Sequence, residues 1–475
     1  MRLRTLLTGT GCISPVEEDA EIQGISYDTR TIKPGELYVA LRGYKTDGHR
    51  YIDQAREKGA AAVVGEEGQD VLLVPDSRAA LAALSANWFG HPAGELTVVG
   101  VTGTNGKTTT TTLLWGLLQE ILDAPVGLLG TNENRVGEET FPAERTTPES
   151  YEVQRWLRRM ADAGCSHVVM EVSSHALCLH RVDGIRFAVG AFTNLTQDHL
   201  DFHKTMEAYR QAKGRLFEQC DTAVLNLDDE AGKYYGQRAE CEVFTYSEHQ
   251  EAAGLRAQEV KLYPDRVEFE GITETERIPI RLGIPGEFTV YNALCTLSCA
   301  CMLGIPLERG AAALRKASGV KGRMEVVPWS GPGTVIIDYA HTPDALENVL
   351  SNLRKFTPGR LICLFGCGGD RDRGKRPIMG AVAANLADLC VVTSDNPRTE
   401  VPVWIITDIL RGMARFDKAK IVEPDREKAI ALALSLLREG DTLLLAGKGH
   451  ETYQETNGEK RHLDERETIA KALGL

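Results

Sequence analysis

The sequence predicts an α/β protein of three domains: a small N-terminal α/β domain, a central domain with a parallel sheet, and a C-terminal α/β domain. Three observations carry this reading. A chain of 475 residues is longer than one hydrophobic core ordinarily holds, since domains run to about 100–200 residues. Short apolar runs alternate with helix-length amphipathic stretches, and the alternation starts three times along the chain, as strands and crossover helices do. The second start carries a glycine-rich loop between an apolar run and a helix, VVGVTGTNGKTTT at residues 98–110.

In the first segment, taken as residues 1–95, the runs GELYVAL, AAAVVG and VLLVPD read as strands, with a helical pattern in YIDQAREKG. The turn-rich FGHPAGEL at residues 89–96 marks its end. The second segment, residues 96–322, opens with the buried strand LTVVGVT. After the loop comes a helix whose Leu113, Leu114, Leu117, Leu118, Ile121 and Leu122 repeat at helical spacing. Further strands at HVVMEV, FAVGAFTN and TAVLNL predict a parallel, doubly wound sheet. The third segment, residues 323–475, alternates TVIIDYAH, GRLICLFGCGGD, LCVVTSDNPR, KIVEPD and DTLLLAGKGHE with helix-length stretches, a Rossmann-like pattern. Four of these strands run directly into charged or glycine-rich loops, which an open parallel sheet gathers along the edge where ligands bind.

Composition narrows the function. Apolar residues make up 43% of the chain, as in a globular protein, and no run reaches the ~18 apolar residues of a membrane span. The opening MRLRTLLTG turns polar too soon for a secretory signal, so a cytoplasmic protein without a membrane partner is expected. A formal charge of −13 argues against a nucleic-acid coat, although small anions answer to local Arg and Lys. The eleven cysteines have no paired C-x-x-C spacing, and reduced thiols such as Cys295, Cys363 and Cys390 in apolar surroundings are the simplest account.

The loop departs by one position from the common phosphate loop, which has glycine where this chain has Val101. Gly103 and Gly106 still let backbone amides converge on phosphate oxygens at a helix start. Lys107 adds a point charge, and the Thr108 hydroxyl suits a magnesium ion. Glu171 ends the run SHVVMEV, on the same expected sheet edge, where a carboxylate can hold a nucleotide's magnesium; a solvated strand-end acid would read alike. Asp198, His199, Asp201 and His203 crowd into TNLTQDHLDFH, a density that suits metal or phosphate chemistry and equally a capped helix start. Lys213, inside EAYRQAKGRLFEQ, reads on its own as an ordinary surface lysine. In the third segment Arg371 and Arg398 can grip carboxylates through two parallel hydrogen bonds.

Taken together, GVTGTNGKTTT, TTPES, EVSSHAL, TNLTQDHLDFH, YRQAKGRLF, GRME, DYAHTPDAL, GCGGDRDRGKRP, SDNPRTE and GKGHE resemble the Mur ligase family, and most closely its tripeptide-forming branch. The motifs keep the family's order over nearly the whole chain, and the family's own loop, T-G-T-N-G-K-T, has the spacing seen here. The resemblance implies an ATP- and Mg²⁺-dependent amide ligase that passes the γ-phosphoryl to the D-glutamate γ-carboxylate of a UDP-N-acetylmuramoyl-dipeptide. An amine then displaces the phosphate. Activation is needed because a free carboxylate is a poor electrophile.

By similarity, ATP would lie against Gly103, Thr104, Asn105, Gly106, Lys107, Thr108 and Thr109, and against Asn292, Arg323, Asp338 and His341. Lys107, Glu171, His199 and Lys213 would be catalytic. Thr108 and Glu171 would hold one magnesium, and His199 a second with Lys213, once carbamylation gives that lysine an anionic oxygen. Thr29, Asn105, Thr146, Thr147, Ser173 and Arg181 would meet the UDP-linked substrate. The family's Asp-Ser-Arg reads Asp28-Thr29-Arg30 here, keeping the hydroxyl, and Leu179 stands where some members have a substrate-contacting glutamine.

The added amino acid would lie against Arg371, Asp395, Asn396, Pro397, Arg398, Gly447 and Glu451. The run Asp395-Asn396-Pro397-Arg398 is the family's signature for meso-diaminopimelate. Arg398 would pair with the distal carboxylate and Glu451 with the distal ammonium, leaving the arginine buried and unpartnered if L-lysine entered. A lysine-adding ligase and a folylpolyglutamate-synthase-like ligase are the alternative readings. No protein partner is implied, and a monomer is expected.

Overall fold

The computed structural model describes residues 1–43, 46–317 and 319–472. The chain forms two compact units, Met1–Leu255 with Cys295–Leu307, and Arg256–Leu294 with Glu308–Leu475.

The first unit begins with a parallel sheet of β1 (Gly24–Ser26), β2 (Glu36–Val39), β3 (Ala62–Gly65) and β4 (Leu72–Leu73), paired in that order. Helix Ser77–Trp88 buries Leu81 and Leu84 in a core with Leu6, Ile25, Leu37 and Val39. Its N-terminus is closed by Asp76, whose carboxylate accepts from the amides of Arg78 and Ala79. Only β1 had no sequence signal, at three residues too short to show a period.

The same unit holds a larger sheet. Its strands within this unit include β5 (Thr97–Thr102), β6 (Val126–Leu129), β7 (Glu133–Val136), β8 (Glu139–Pro142), β9 (His167–Glu171), β10 (Phe187–Phe192), β11 (Cys220–Asn226) and β12 (Glu242–Ser247), in the order β12-β11-β10-β5-β9-β6-β7-β8. From β12 to β6 every pair is parallel, as expected. The edge corrects the expectation of a wholly parallel sheet, since β7 and β8 run antiparallel. Gly137 at φ +58 turns the chain between them. A connection this short cannot make the crossover of a dozen residues that parallel pairing needs.

Register brings the functional loops to one edge. Thr102, the last residue of β5, lies beside Phe192, the last of β10, while Val101 lies beside Glu171 at the end of β9. The glycine-rich loop, the Glu171 turn and the Asn194 segment therefore leave the sheet together.

The second unit contains an antiparallel meander, β13 (Leu255–Leu262), β14 (Val267–Ile272) and β15 (Arg277–Leu282). The sequence reading had no place for it, because its mixed charged and apolar runs are solvated on one face. A second sheet has the order β16 (Glu325–Val326), β17 (Thr334–Asp338), β21 (Thr442–Ala446), β18 (Leu361–Phe365), β19 (Leu389–Val392), β20 (Ala419–Val422), followed in the chain by the hairpin β22 (Tyr453–Thr456) and β23 (Glu459–His462). Five strands are parallel and β16 is antiparallel at the edge. Leu346, Leu350, Met379 and Ile409 pack one face, and Ile430, Leu434 and Ile469 the other. Among the described residues no helix is long and apolar enough to cross a membrane.

Candidate active site

At the edge of the larger sheet, Gly103 has φ +151, and a Cβ there would sit 1.9 Å from the Thr193 hydroxyl oxygen. Only glycine fits. Gly106, at φ 84, then starts helix Lys107–Ile121, whose first amides lack intrahelical partners and present positive charge to an anion. Neighbouring segments hold the loop in shape. The Thr193 hydroxyl donates to the Asn105 carbonyl at 2.6 Å, the Asn105 amide donates to Asn194 Oδ1 at 3.0 Å, and the Thr104 amide donates to the Asn194 carbonyl at 2.8 Å. Lys107 Nζ folds back onto the carbonyls of Gly103 and Thr104, at 2.8 and 2.9 Å.

Glu171 is not solvated: it is 1% exposed. Its Oε2 accepts from the Thr108 hydroxyl at 3.1 Å, and Oε1 from the Thr131 amide at 2.7 Å. The Thr131 hydroxyl also reaches Oε2 and, at 3.0 Å, the Thr146 hydroxyl. Thr108 and Glu171 thus offer adjacent hard oxygen donors at the loop mouth, a set that fits a magnesium ion completed by nucleotide phosphates and water.

Lys213 overturns its reading as a surface lysine. It is 1% exposed at the end of helix Met206–Gly214, and its Nζ donates to the Gly103 carbonyl at 2.8 Å and lies 4.4 Å from the Tyr209 ring centroid. Burial, then the nearby charge of Lys107, holds its ammonium far below the usual lysine range. A neutral amine is the form that can react with carbon dioxide. As an ammonium Lys213 cannot bind a metal; as a carbamate it could. His199 is half-exposed, at φ 52, with its ring edge-on to His175 at 4.9 Å and to Tyr209 at 6.1 Å. Both His199 and Lys213 therefore meet the ring of Tyr209.

Thr147, Ser173 and Arg181 form a connected group. The Thr147 hydroxyl donates to the Glu171 carbonyl at 2.8 Å and accepts from the Ser173 amide at 3.1 Å, and Arg181 donates to the Thr147 carbonyl at 3.1 Å. Glu149 gathers Arg145, Arg181 and Arg78 at 2.8, 2.7 and 3.4 Å. Thr29 stands apart from this group, its hydroxyl donating to Gln54 Oε1 at 2.8 Å. Leu179 follows helix Ser174–Cys178 directly. Among the described residues the one His/Cys/Asp/Glu trio close enough for a metal is Asp47, His49 and Glu67. There His49 Nδ1 meets Asp47 at 2.7 Å and Nε2 accepts the Glu66 amide at 2.9 Å, so both ring nitrogens are committed.

In the second unit, the loops after β17, β21, β18 and β19 share one sheet edge, because Asp338 pairs with Ala446 and Phe365 with Val392. Asp338 is buried and accepts amides of Met324 and Ala340, both at 2.8 Å, while burial raises its carboxyl above the usual range. Arg323 lies 5.1 Å from the Tyr339 ring centroid, and that ring packs on His341 at 4.6 Å. Asn292 belongs to this unit and is buried. Asn396 Nδ2 donates to Glu451 Oε2 at 2.8 Å, and the fully buried Lys448 reaches Asn396 Oδ1 and Glu451 Oε2 at 3.1 and 3.2 Å. Pro397 lies against Gly369, where a Cβ would meet its carbonyl oxygen at 1.9 Å; Gly447, at φ +114, has Asp395 Oδ2 in the same position at 2.7 Å.

Arg398 corrects an expectation. It is already paired, donating to Glu455 Oε2 at 3.2 Å and to the Gly369 carbonyl at 2.8 Å. Arg371 is exposed and donates to the Asp370 carbonyl at 3.2 Å.

Family models match residues 21–88 (Mur ligase family, catalytic domain), 101–300 (Mur ligase middle domain) and 322–449 (Mur ligase, glutamate ligase domain). A curated protein of Clostridium botulinum is 44% identical over 96% of both chains, and its name is UDP-N-acetylmuramoyl-L-alanyl-D-glutamate–2,6-diaminopimelate ligase. The chain belongs to the Mur ligase family. A Clostridioides difficile protein of the same name is 43% identical over 100% of this Mur ligase and 99% of its own length. A solved structure of that ligase type superposes with a TM-score of 0.74 at 32% identity, covering 97% of each chain. The MurF ligase of Thermotoga maritima, solved with ADP, shares the fold at a TM-score of 0.60 and 20% identity, covering 91% of this chain and 95% of its own.

In this Mur ligase the loop residues, Glu171, Lys213, Thr146, Thr147, Ser173 and Arg181 come together in the first unit. Asn292, Arg323, Asp338, His341 and the 395–398 loop belong to the second. Thr131, Tyr209, Glu149, Lys448 and Glu455 were missed. Tyr209 lies one helical turn before Lys213, a spacing that could have pointed to it, and Glu149 stands inside TTPES. Nothing in the sequence marks Thr131 or Glu455.

Proposed function

We propose that the chain is the ATP-dependent ligase that adds meso-2,6-diaminopimelate to the D-glutamate γ-carboxylate of UDP-N-acetylmuramoyl-L-alanyl-D-glutamate, a step of peptidoglycan precursor synthesis. The observation that carries the phosphoryl-transfer half is the Glu171 carboxylate against the Thr108 hydroxyl at the mouth of the loop. The loop amides and Lys107 hold the ATP phosphates and offset charge as the γ-phosphoryl moves to the substrate carboxylate. Magnesium, when bound at Thr108 and Glu171, neutralises phosphate charge. Lys213, as its carbamate, and His199 supply oxygen and nitrogen donors for a second ion.

Asn292, Arg323, Asp338 and His341 contact the nucleotide in this reading. Thr29, Asn105, Thr146, Thr147, Ser173 and Arg181 orient the UDP-linked substrate, with Arg181 held by Glu149. Arg371, Asp395, Asn396, Pro397, Arg398, Gly447 and Glu451 receive diaminopimelate, Arg398 exchanging Glu455 for the distal carboxylate. The domains run 1–95, 96–322 and 323–475, a division supported by the bounds of the three family-model matches. The enzyme acts as a monomer in the cytoplasm, where ATP is available.

The test is ADP release with the UDP-linked dipeptide, comparing meso-diaminopimelate with L-lysine. A preference of roughly 10- to 100-fold for diaminopimelate is expected; comparable turnover with both would overturn the assignment.

A further inference from the structure

We infer that Cys220 and Cys241 form a thiol pair that a peroxide converts reversibly into a disulfide. Their sulfurs lie 3.6 Å apart, at the entry to two neighbouring parallel strands whose ladder begins at Thr222 and Glu242. A bond requires the sulfurs to close to about 2.05 Å, a movement that falls to the short connection between helix Glu230–Gly236 and β12. Both residues line a cavity of about 570 Å³. That sets them apart from the other close cysteines: Cys363 and Cys390 are ladder partners buried on both sides, and Cys295 and Cys299 are fully enclosed in one helix.

The two thiols differ in a way that orders the chemistry. Cys220 is buried and burial raises its thiol, whereas Cys241 is half-buried. Arg186, paired with Asp221 at 2.7 Å, and Arg238, stacked on Tyr234 at 3.8 Å, line the same cavity with Glu218 and Glu240, and the half-buried Cys241 is the thiol that a peroxide reaches first from it. Cys241 sulfur attacks the peroxide, the O–O bond breaks, and a sulfenic acid and an alcohol or water form. Cys220 sulfur then attacks Cys241 sulfur and the S–O bond breaks. The hydroxyl leaves as water with the Cys220 proton, both sulfurs are oxidised to the disulfide, and the peroxide is reduced. Cys220 follows the turn Arg215–Glu218, which itself follows the Lys213 helix, so the bond would tie that segment to the start of β12.

The test uses the full chain, freed of reductant, treated with stoichiometric hydrogen peroxide, alkylated and cut with trypsin, which separates the two cysteines after Lys233 and Arg238. The expected result is a linked peptide pair that dithiothreitol releases, formed before the other cysteines react. In Cys220→Ser, Cys241 should instead be trapped as a sulfenic acid by dimedone. Full alkylation of both thiols after other cysteines have oxidised, or linkage of Cys241 to a different cysteine, would overturn the inference.

Discussion

Lys213 Nζ donates to the carbonyl of Gly103 at 2.8 Å, across 110 residues of sequence. A buried amine is thereby fixed beneath the glycine-rich loop. Replacement by alanine should abolish ADP release, and acetate or formate should restore part of it by supplying the missing carboxylate oxygen. A fully active Lys213→Ala enzyme would remove the carbamate from the mechanism, and circular dichroism guards against misfolding.

Glu171 is held by Thr108 and Thr131. Glu171→Gln keeps the shape and loses the charge, so turnover should fall by about 10²–10³-fold and the magnesium concentration for half-maximal rate should rise. Titrating magnesium in the ADP-release assay measures both.

Glu455 changes the expected specificity of the Arg398 loop. An arginine orphaned by lysine would discriminate by about 10⁴-fold, but Glu455 already partners Arg398. The net gain from the distal carboxylate is then that of a charged hydrogen bond, roughly 10- to 100-fold. Arg398→Ala should erase that preference through the diaminopimelate KM while leaving the ATP KM unchanged.

At Gly103, alanine would bring a Cβ to within 1.9 Å of Thr193 Oγ1 at φ +151. Gly103→Ala should cost about 1–3 kcal/mol or more, read from urea midpoints, and ATP binding should weaken with it. An unchanged midpoint would mean that the loop adapts.

Glu400 is held by Arg376, chiefly through their hydrogen bond, and its carboxyl is lowered from 4.5 to about 2. A depressed carboxyl contributes stability that is fully present above pH 4.5 and is lost as pH falls through 2. Glu400→Gln should therefore flatten the acid limb of a Tm-against-pH curve in that window and leave its slope near neutrality unchanged.

By itself the sequence determined the domain order, the principal strands of each parallel sheet, the phosphate loop and the kinship carried by its motifs, because apolar periodicity and glycine spacing are local properties. It also determined the family resemblance that named Lys213 and Arg398. Tertiary structure alone decided their surroundings. Lys213 looked solvated on its helix, and only the return of that helix beneath Gly103 buries it. Glu171 is a buried, hydrogen-bonded carboxylate rather than a surface acid because β9 and β5 are neighbours and Thr131 lies across its tip. Arg398 acquired Glu455 from a hairpin more than fifty residues away. Such pairings depend on sheet order and strand register, and nothing in a local stretch of side chains encodes them.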